Sequence, residues 1–348
     1  MATQVPTVLA KEFLRYGERD YRGSSHLYET LSTFVARDGD LLEIASHGKS
    51  AIPNLFFGAV HYLLMHRKRE SLATYYPSLH KPTHTGTGFP ALFRSFCIEH
   101  RAELIEILSS RTVQTNEVSR CAYLYPAFSA VSNTAAGAPL ALIDVGAGAG
   151  LHLLWDHYGY DYGLERIYGR PDSPVRIRSA LSGNARPRLQ DRAPLVGSRF
   201  AIDLHPVSPD VDDDIRWLEA LIWPEHESRR EQFHKAIDIL KQHKNAITFF
   251  AGDAADALPE ALMNVPENEL PCVFQTHIWR QLAPETKAKL IATLETFGRQ
   301  RKVCFVSALD QLRLEWFAPS GHRGWTLANY EQHGRWVEWL GGPEVSSG

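Results

Sequence analysis

The chain has 348 residues, 44% of them hydrophobic and 22% charged, which is the balance of a globular protein with material for about two domains. Its formal charge of -3 comes from acids and bases mixed along the whole length, which argues against a nucleic-acid partner. No apolar run reaches the roughly 18 residues of a membrane span, and Met1 to Asp20 has no signal-peptide core, so a cytoplasmic protein with no membrane partner is expected.

Residues 1 to about 135 read as helical. Leu27, Leu31, Phe34 and Val35 recur on one helical face. Asp40 with Glu43 has the pattern of a capping box for a second short helix. Asn54, after Pro53, is placed to cap the apolar stretch from Leu55 to Met65. Phe93, Phe96, Cys97, His100, Leu104, Ile107 and Leu108 form one stripe, which predicts a single helix from about Pro90 to Leu108. Between these, Tyr75 to Phe89 holds Pro77, Pro82, Gly86 and Gly88 and reads as a loop.

The pattern changes after the break at residues 136–139. Leu140 to Val145 is a short apolar run closed by glycines, which suits a central parallel strand buried on both faces. Further runs follow at Arg199–Leu204, Ala246–Phe250, Pro271–Gln275 and Val303–Ala308. Helices are expected between them: one opened by Asp212, Asp213 and Asp214, one after Pro224, and one from Pro284 to Thr296. The tail, at 312–317, 325–330 and 335–340, reads as added antiparallel strands. This alternation predicts an α/β domain at 136–348, a doubly wound and mostly parallel sheet, behind an all-helical domain at 1–135 that could act as a lid. The four cysteines are scattered and read as buried thiols. The 16 histidines include no helical pair with a neighbouring Glu, so no metal is expected.

The segment Asp144-Val145-Gly146-Ala147-Gly148-Ala149-Gly150 carries the main functional signal. Glycines at a strand's carboxyl end let a ligand approach the backbone where a Cβ would collide. A dinucleotide fold wants Gly-x-Gly-x-x-Gly, but Leu151 stands where its third glycine would be. The segment resembles instead the first motif of class I methyltransferases that use S-adenosylmethionine, which implies a Rossmann-like fold. A helix from about Leu151 to Tyr158 would aim its N-terminus at the ligand. An acid ending the second strand should bind the ribose hydroxyls. Asp203 fits by context, although it lies much farther along than in a simple βαβ unit, which makes about 160–197 an insertion. Glu165 is the nearer rival. The resemblance further implies an adenine contact at Asp253 and a substrate-facing position at His277, a candidate general base.

Over nearly its full length the chain also resembles the family catalogued as domain of unknown function 2332. The matching segments are 55–64, Val113 to Arg120, Leu142 to Tyr160, Ile202 to Pro206, Arg216-Trp217-Leu218 with Trp223-Pro224-Glu225, and His333-Gly334-Arg335-Trp336. The family's glycine loop more often reads Glu-x-Gly-x-Ser-Ala-Gly-Leu-Asn, and this chain departs from it at Asp144, Gly148 and His152. If a helix starts at Asn116, Glu117 and Arg120 sit at i, i+3 and could pair, giving an N-cap with a surface salt bridge. Alternatively the helical portion lids the cofactor cleft, with Asn116 and Glu117 touching substrate or the methionine ammonium. Tyr123, Tyr125 and Trp155 could line the same cleft and favour a sulfonium.

The combined expectation is an S-adenosylmethionine-dependent methyltransferase acting on a small molecule. Asp144, Gly146, Gly148, Gly150, Asp203 and Asp253 would bind the cofactor, and His277, Glu117 and Asn116 would do the chemistry. Two alternatives stand beside it: a cyclase or lyase that releases methylthioadenosine, and a non-catalytic ligand-binding protein.

Overall fold

The structure is a computed structural model that describes residues 7–343 except 81–87, 115, 136 and 191. The middle of the expected loop at 75–89 and the first residue of the break at 136–139 lie outside that set.

In chain order the helices and strands are α1 (Thr7–Tyr16), α2 (His26–Val35), α3 (Gly39–Ala45), α4 (Ile52–His66), α5 (Phe89–Glu99), α6 (Arg101–Ser110), α7 (Cys121–Thr134), β1 (Leu140–Val145), β2 (Gly159–Asp161), β3 (Tyr168–Gly169), β4 (Arg176–Arg178), β5 (Ala180–Ser182), β6 (Val196–Asp203), α8 (Asp212–Ala220), α9 (Glu227–His243), β7 (Ile247–Ala251), α10 (Ala254–Met263), β8 (Leu270–Thr276), α11 (Pro284–Gly298), β9 (Val303–Ala308), β10 (Leu312–Ala318), β11 (Gly321–Tyr330) and β12 (Trp336–Trp339). The result is a mixed α/β protein with an N-terminal helical region and a large, mostly parallel sheet. No helix among the described residues is long and apolar enough to cross a membrane.

Contacts divide the chain into two units, Met1–Thr115 with Asp212–Glu231, and Asn116–Val211 with Gln232–Gly348. This differs from the expected boundary at 135. Helix α7 packs on the turns at 151–157 and on β4, β11 and β12, so it belongs with the sheet. Helix α8 packs on α4 and so belongs with the first unit.

The helical unit is built on an aromatic core in which Phe13, Tyr21, Tyr28, Phe56, Phe57 and Phe93 are buried and in ring contact. Local details differ from the sequence patterns. The cap of α3 is Asp38, whose carboxylate accepts from the Asp40 and Leu41 N–H groups, and not the Asp40–Glu43 box. Asn54 lies inside α4 and accepts from the Tyr21 hydroxyl at 2.7 Å. The single helix expected at 90–108 is broken at His100, whose ψ of 24° ends α5 and lets α6 start afresh. His61 is buried and satisfied on both sides, by Ala220 O at 2.9 Å and Ser78 Oγ at 2.7 Å.

The sheet unit carries nine strands in the order β5-β12-β11-β10-β9-β8-β1-β6-β7. Strands β9, β8, β1, β6 and β7 are parallel neighbours, and β10, β11 and β12 continue antiparallel as the tail pattern predicts. Strand β1 lies between β6 and β8 and is buried at every position; its residues are apolar except Asp144. Within the expected insertion, β2, β3 and β4 form a separate three-stranded sheet, while β5 pairs with β12. The segment after the glycines is not an α-helix. It forms 3-10 turns over Leu151–His157 that start at Gly150 and are kinked at Leu154.

Candidate functional site

The site is built around the turn that follows β1. Gly146, Gly148 and Gly150 hold φ values of +83°, +57° and +81°, the left-handed region that side chains resist. The turn is tied to β6, since the Gly146 N–H donates to Ile202 O at 2.8 Å. Asp203 ends β6 and reaches back to the loop. Its Oδ2 accepts from the Gly148 N–H at 2.7 Å, and its Oδ1 accepts from the His205 N–H at 2.8 Å. Glu165 is exposed in a bend before β3, whereas the structure brings Asp203 to the glycines.

Two side chains lie over the loop. A Cβ on Gly146 would sit 2.8 Å from Ile278, which follows β8. A Cβ on Gly148 would sit 2.7 Å from Asn116 Oδ1, and that same oxygen accepts from the Ala149 N–H at 3.1 Å. Glu117, rather than Asn116, starts the next element: its carboxylate accepts from the Ser119 N–H and caps a 3-10 turn at Val118–Arg120 that leads into α7.

Beneath the loop lies a buried polar cluster. Asp144 is 1% exposed and turned inward, not towards the face where a ligand contact was expected. Its Oδ2 has no hydrogen-bond partner and lies 3.8 Å from His152 Nδ1. Burial, reinforced by the charge of Asp203, pushes the Asp144 carboxyl well above the usual range, so it is held towards its neutral form. Burial also lowers His152 to about 4, and Arg120 adds to the effect. His152 Nε2 lies 3.0 Å from Glu117 O, and a carbonyl can only accept, so the ring carries its proton on Nε2. Its Nδ1 then faces Thr276 Oγ1 at 3.4 Å and the Asp144 carboxyl.

At the carboxyl end of β8, His277 holds a φ of +67°, one of two non-glycine residues among those described with positive φ. Such a backbone costs on the order of 1–3 kcal/mol and clusters at functional sites. His277 Nε2 lies 3.5 Å from the Tyr123 hydroxyl, and Tyr330 packs against both rings. Burial and then the charges of Arg120, Arg280, His333 and His152 lower the imidazole to about 3, so it is neutral at neutral pH. Asp253 is exposed; it caps α10 by accepting from the Ala255 N–H at 2.9 Å, and the Gly252 N–H before it donates to Asp203 O at 3.0 Å. Tyr125 and Trp155 are fully buried and in ring contact as core, so of the three expected aromatics Tyr123 alone reaches the cluster. Among the described residues, no group of three or more His, Cys, Asp or Glu is placed to hold a metal.

Residues 10–339 match the family described as an uncharacterized protein conserved in bacteria (DUF2332). The chain belongs to DUF2332. No curated protein and no solved structure matches it.

The DUF2332 segments read from the sequence acquire physical roles. Gly334 holds φ +76°, and a Cβ there would sit 2.0 Å from Ser119 O, so the His333–Trp336 segment and the 113–120 segment are packed backbone to backbone. This brings His333 Nδ1 to 3.6 Å from Glu117 Oε2. The Trp223-Pro224-Glu225 segment is structural and belongs to the helical unit: Glu225 accepts from Ser25 Oγ and the Leu27 N–H, both at 2.8 Å. Thr276, Ile278, Tyr330 and His333 were not singled out as site residues. Thr276 and His333 sat in segments that the sequence had marked.

Proposed function

We propose that this DUF2332 protein binds S-adenosylmethionine in a Rossmann-like sheet and transfers its methyl group to a small molecule. The supporting observation is where the glycine loop falls in the strand order. After β1 the chain passes to β6 and β7 on one side, then returns to β8 and β9 on the other. In such sheets ligands bind outside the carboxyl ends of the strands where the order reverses. Gly146 follows β1 and His277 follows β8, so both border that reversal.

The donor set suits the cofactor at its ribose end. Asp203 is half-buried beside the loop, and a carboxylate oxygen accepts more than one hydrogen bond, so it can hold a vicinal diol. Gly146 is the exposed glycine of the three, and a ligand would approach its backbone beside Ile278. Asp253 stands at the neighbouring strand end, towards the base. Asn116, against Ala149, would face the methionine part together with Gly148. Bound there, S-adenosylmethionine supplies a methyl group activated by its sulfonium. Methyl transfer is a displacement, so the protein's main contribution is alignment. His277, neutral and held by its backbone strain and Tyr123, would take the acceptor's proton on a ring nitrogen. Glu117 would orient His333 beside it.

A second reading is favoured by one observation. Ile278 and Asn116 fill the space above two of the glycines, as they would in a protein that closes this loop on its own side chains and turns nothing over. Calorimetric titration with S-adenosylmethionine and adenosylhomocysteine separates the two. Both ligands should bind, and Asp203→Asn should weaken each at least tenfold in a protein that is still folded at the temperature of the titration. A folded wild-type protein that binds neither overturns the proposal. With binding in hand, release of adenosylhomocysteine identifies methyl transfer, whereas methylthioadenosine identifies a cyclase or lyase.

A further inference from the structure

A cavity of about 780 Å³ opens in the sheet unit where the turns at 151–157 end, β6 begins and α9 ends. That volume is typical of a small-molecule site. It is remote from the glycine loop. Val196 in its wall pairs with Leu140 at the start of β1, whereas the loop follows the end of β1. The length of a strand, roughly 20 Å, therefore separates the two places.

Its walls carry unspent polar chemistry. At the base, Asp156 Oδ2 accepts from Arg199 Nη2 at 2.5 Å, with the two side chains 15% and 9% exposed. The other oxygen, Asp156 Oδ1, is excluded from solvent and has no hydrogen-bond partner. A buried acceptor left in this state costs about 1–3 kcal/mol. Beside it, the His157 and His243 rings lie 4.1 Å apart, and His157 Nε2 is 3.7 Å from Asp156 Oδ2. Around the mouth stand the exposed Arg170 and Arg192, with Asp172 the acid opposite them. Pro171, Pro174 and Pro194 fix the backbone of that rim, so the two guanidinium groups project from a stiff frame. Since Arg199 neutralises Asp156, the described residues of the lining keep an excess of positive charge.

We propose that this cavity binds a small organic anion that also carries a hydroxyl, a phosphate monoester or a hydroxycarboxylate. Arg170 and Arg192 take the anionic oxygens with their planar N–H forks. The ligand's hydroxyl donates to the part of the Asp156 carboxylate that lines the cavity. Proton linkage accompanies binding. In the empty cavity burial lowers His157 to about 4, with His243, Arg199 and Arg170 adding to that and Asp156 opposing it. An anion seated beside the ring raises it again, so binding takes up a proton in the acidic range above pH 4.

The test is calorimetric titration of the full chain with glycerol 3-phosphate, malate, sulfate and glycerol. At least one of the first two should bind, and the tighter tells phosphate ester from hydroxycarboxylate. Sulfate, which has no hydroxyl to donate, should bind at least tenfold more weakly, and glycerol not at all. The double variant Arg170→Gln/Arg192→Gln should lose at least tenfold in affinity, while Arg299→Gln, an exposed cation away from the cavity, should not. Heats for sulfate in buffers of different ionisation enthalpy should report proton uptake that disappears in His157→Asn. Failure of both hydroxylated anions to bind, or equal binding by the double-arginine variant, overturns the proposal. None of these outcomes depends on whether the glycine loop holds S-adenosylmethionine.

Discussion

Gly148 illustrates how one residue can satisfy two demands. Its φ of +57° favours glycine, and its missing Cβ leaves the space that Asn116 Oδ1 occupies. Gly148→Ala should therefore destabilise the protein by about 1–3 kcal/mol. Part of that loss is steric, so Asn116→Ala should recover some of it, and a double-mutant cycle by denaturant unfolding should return a coupling of at least 0.5 kcal/mol. Simple additivity would mean that backbone strain is the whole cost. Protonation is the other residue-scale property. His61 and His152 are buried and titrate near 4, against about 6.5 in the unfolded chain. Below pH 6.5 the unfolded state therefore takes protons that the native state declines, and stability falls as pH drops towards 4. Asp144 acts in the opposite sense, because its native carboxyl holds its proton above the unfolded value of 3.8 and penalises folding at higher pH. The two histidines should dominate between pH 6.5 and 4, each by ~3 kcal/mol at most. Denaturation midpoints across this range should fall, with a shallower fall in His152→Gln. A flat profile would rule out neutral buried imidazoles.

At the scale of elements, the strands were the most legible part of the chain. Runs such as 140–145 and 303–308 are apolar but for Asp144 and Ser307 because both faces are covered, and the glycines that end β1 mark the turn without ambiguity. Helix limits were less legible, because tertiary partners and backbone angles at single residues set them. His100 breaks one amphipathic stripe into α5 and α6, and the glycine loop leads into 3-10 turns. Asp203 was found from its place after an apolar strand, despite the insertion before it. His152 was legible as a departure from the family pattern, yet its partner Asp144 gave no sign that it turns inward. The start of α2 depends on a residue almost two hundred positions away. Glu225→Ala removes the acceptor for Ser25 Oγ and the Leu27 N–H, and should cost about 1–2 kcal/mol in chemical denaturation. A loss below 0.3 kcal/mol would show that water replaces the carboxylate there.

At the scale of the whole molecule, the chain enters its helical unit twice. Residues 212–231 complete that unit: Trp217 is 2% exposed, donates its indole N–H to Thr112 O at 3.0 Å, and belongs to a helix packed on α4. A chain lacking residues 1–115 would expose Trp217 and Leu218, and it should be recovered largely as aggregate. Replacing 212–231 by a short polar linker in the same truncation should restore solubility. Equal solubility of the two truncations would refute this division of the chain. The sequence alone determined the helical N-terminal region, the alternation of the main strands with helices, the buried central strand and its glycine turn, because these follow from local periodicity and from the backbone freedom of single residues. Only the tertiary structure decided which distant segments share a unit. It also decided that Asn116 and Ile278 cover the loop, and that Asp144 and His152 bury their polar atoms together. Those outcomes depend on burial and on contacts between residues far apart in the chain, which no local pattern encodes.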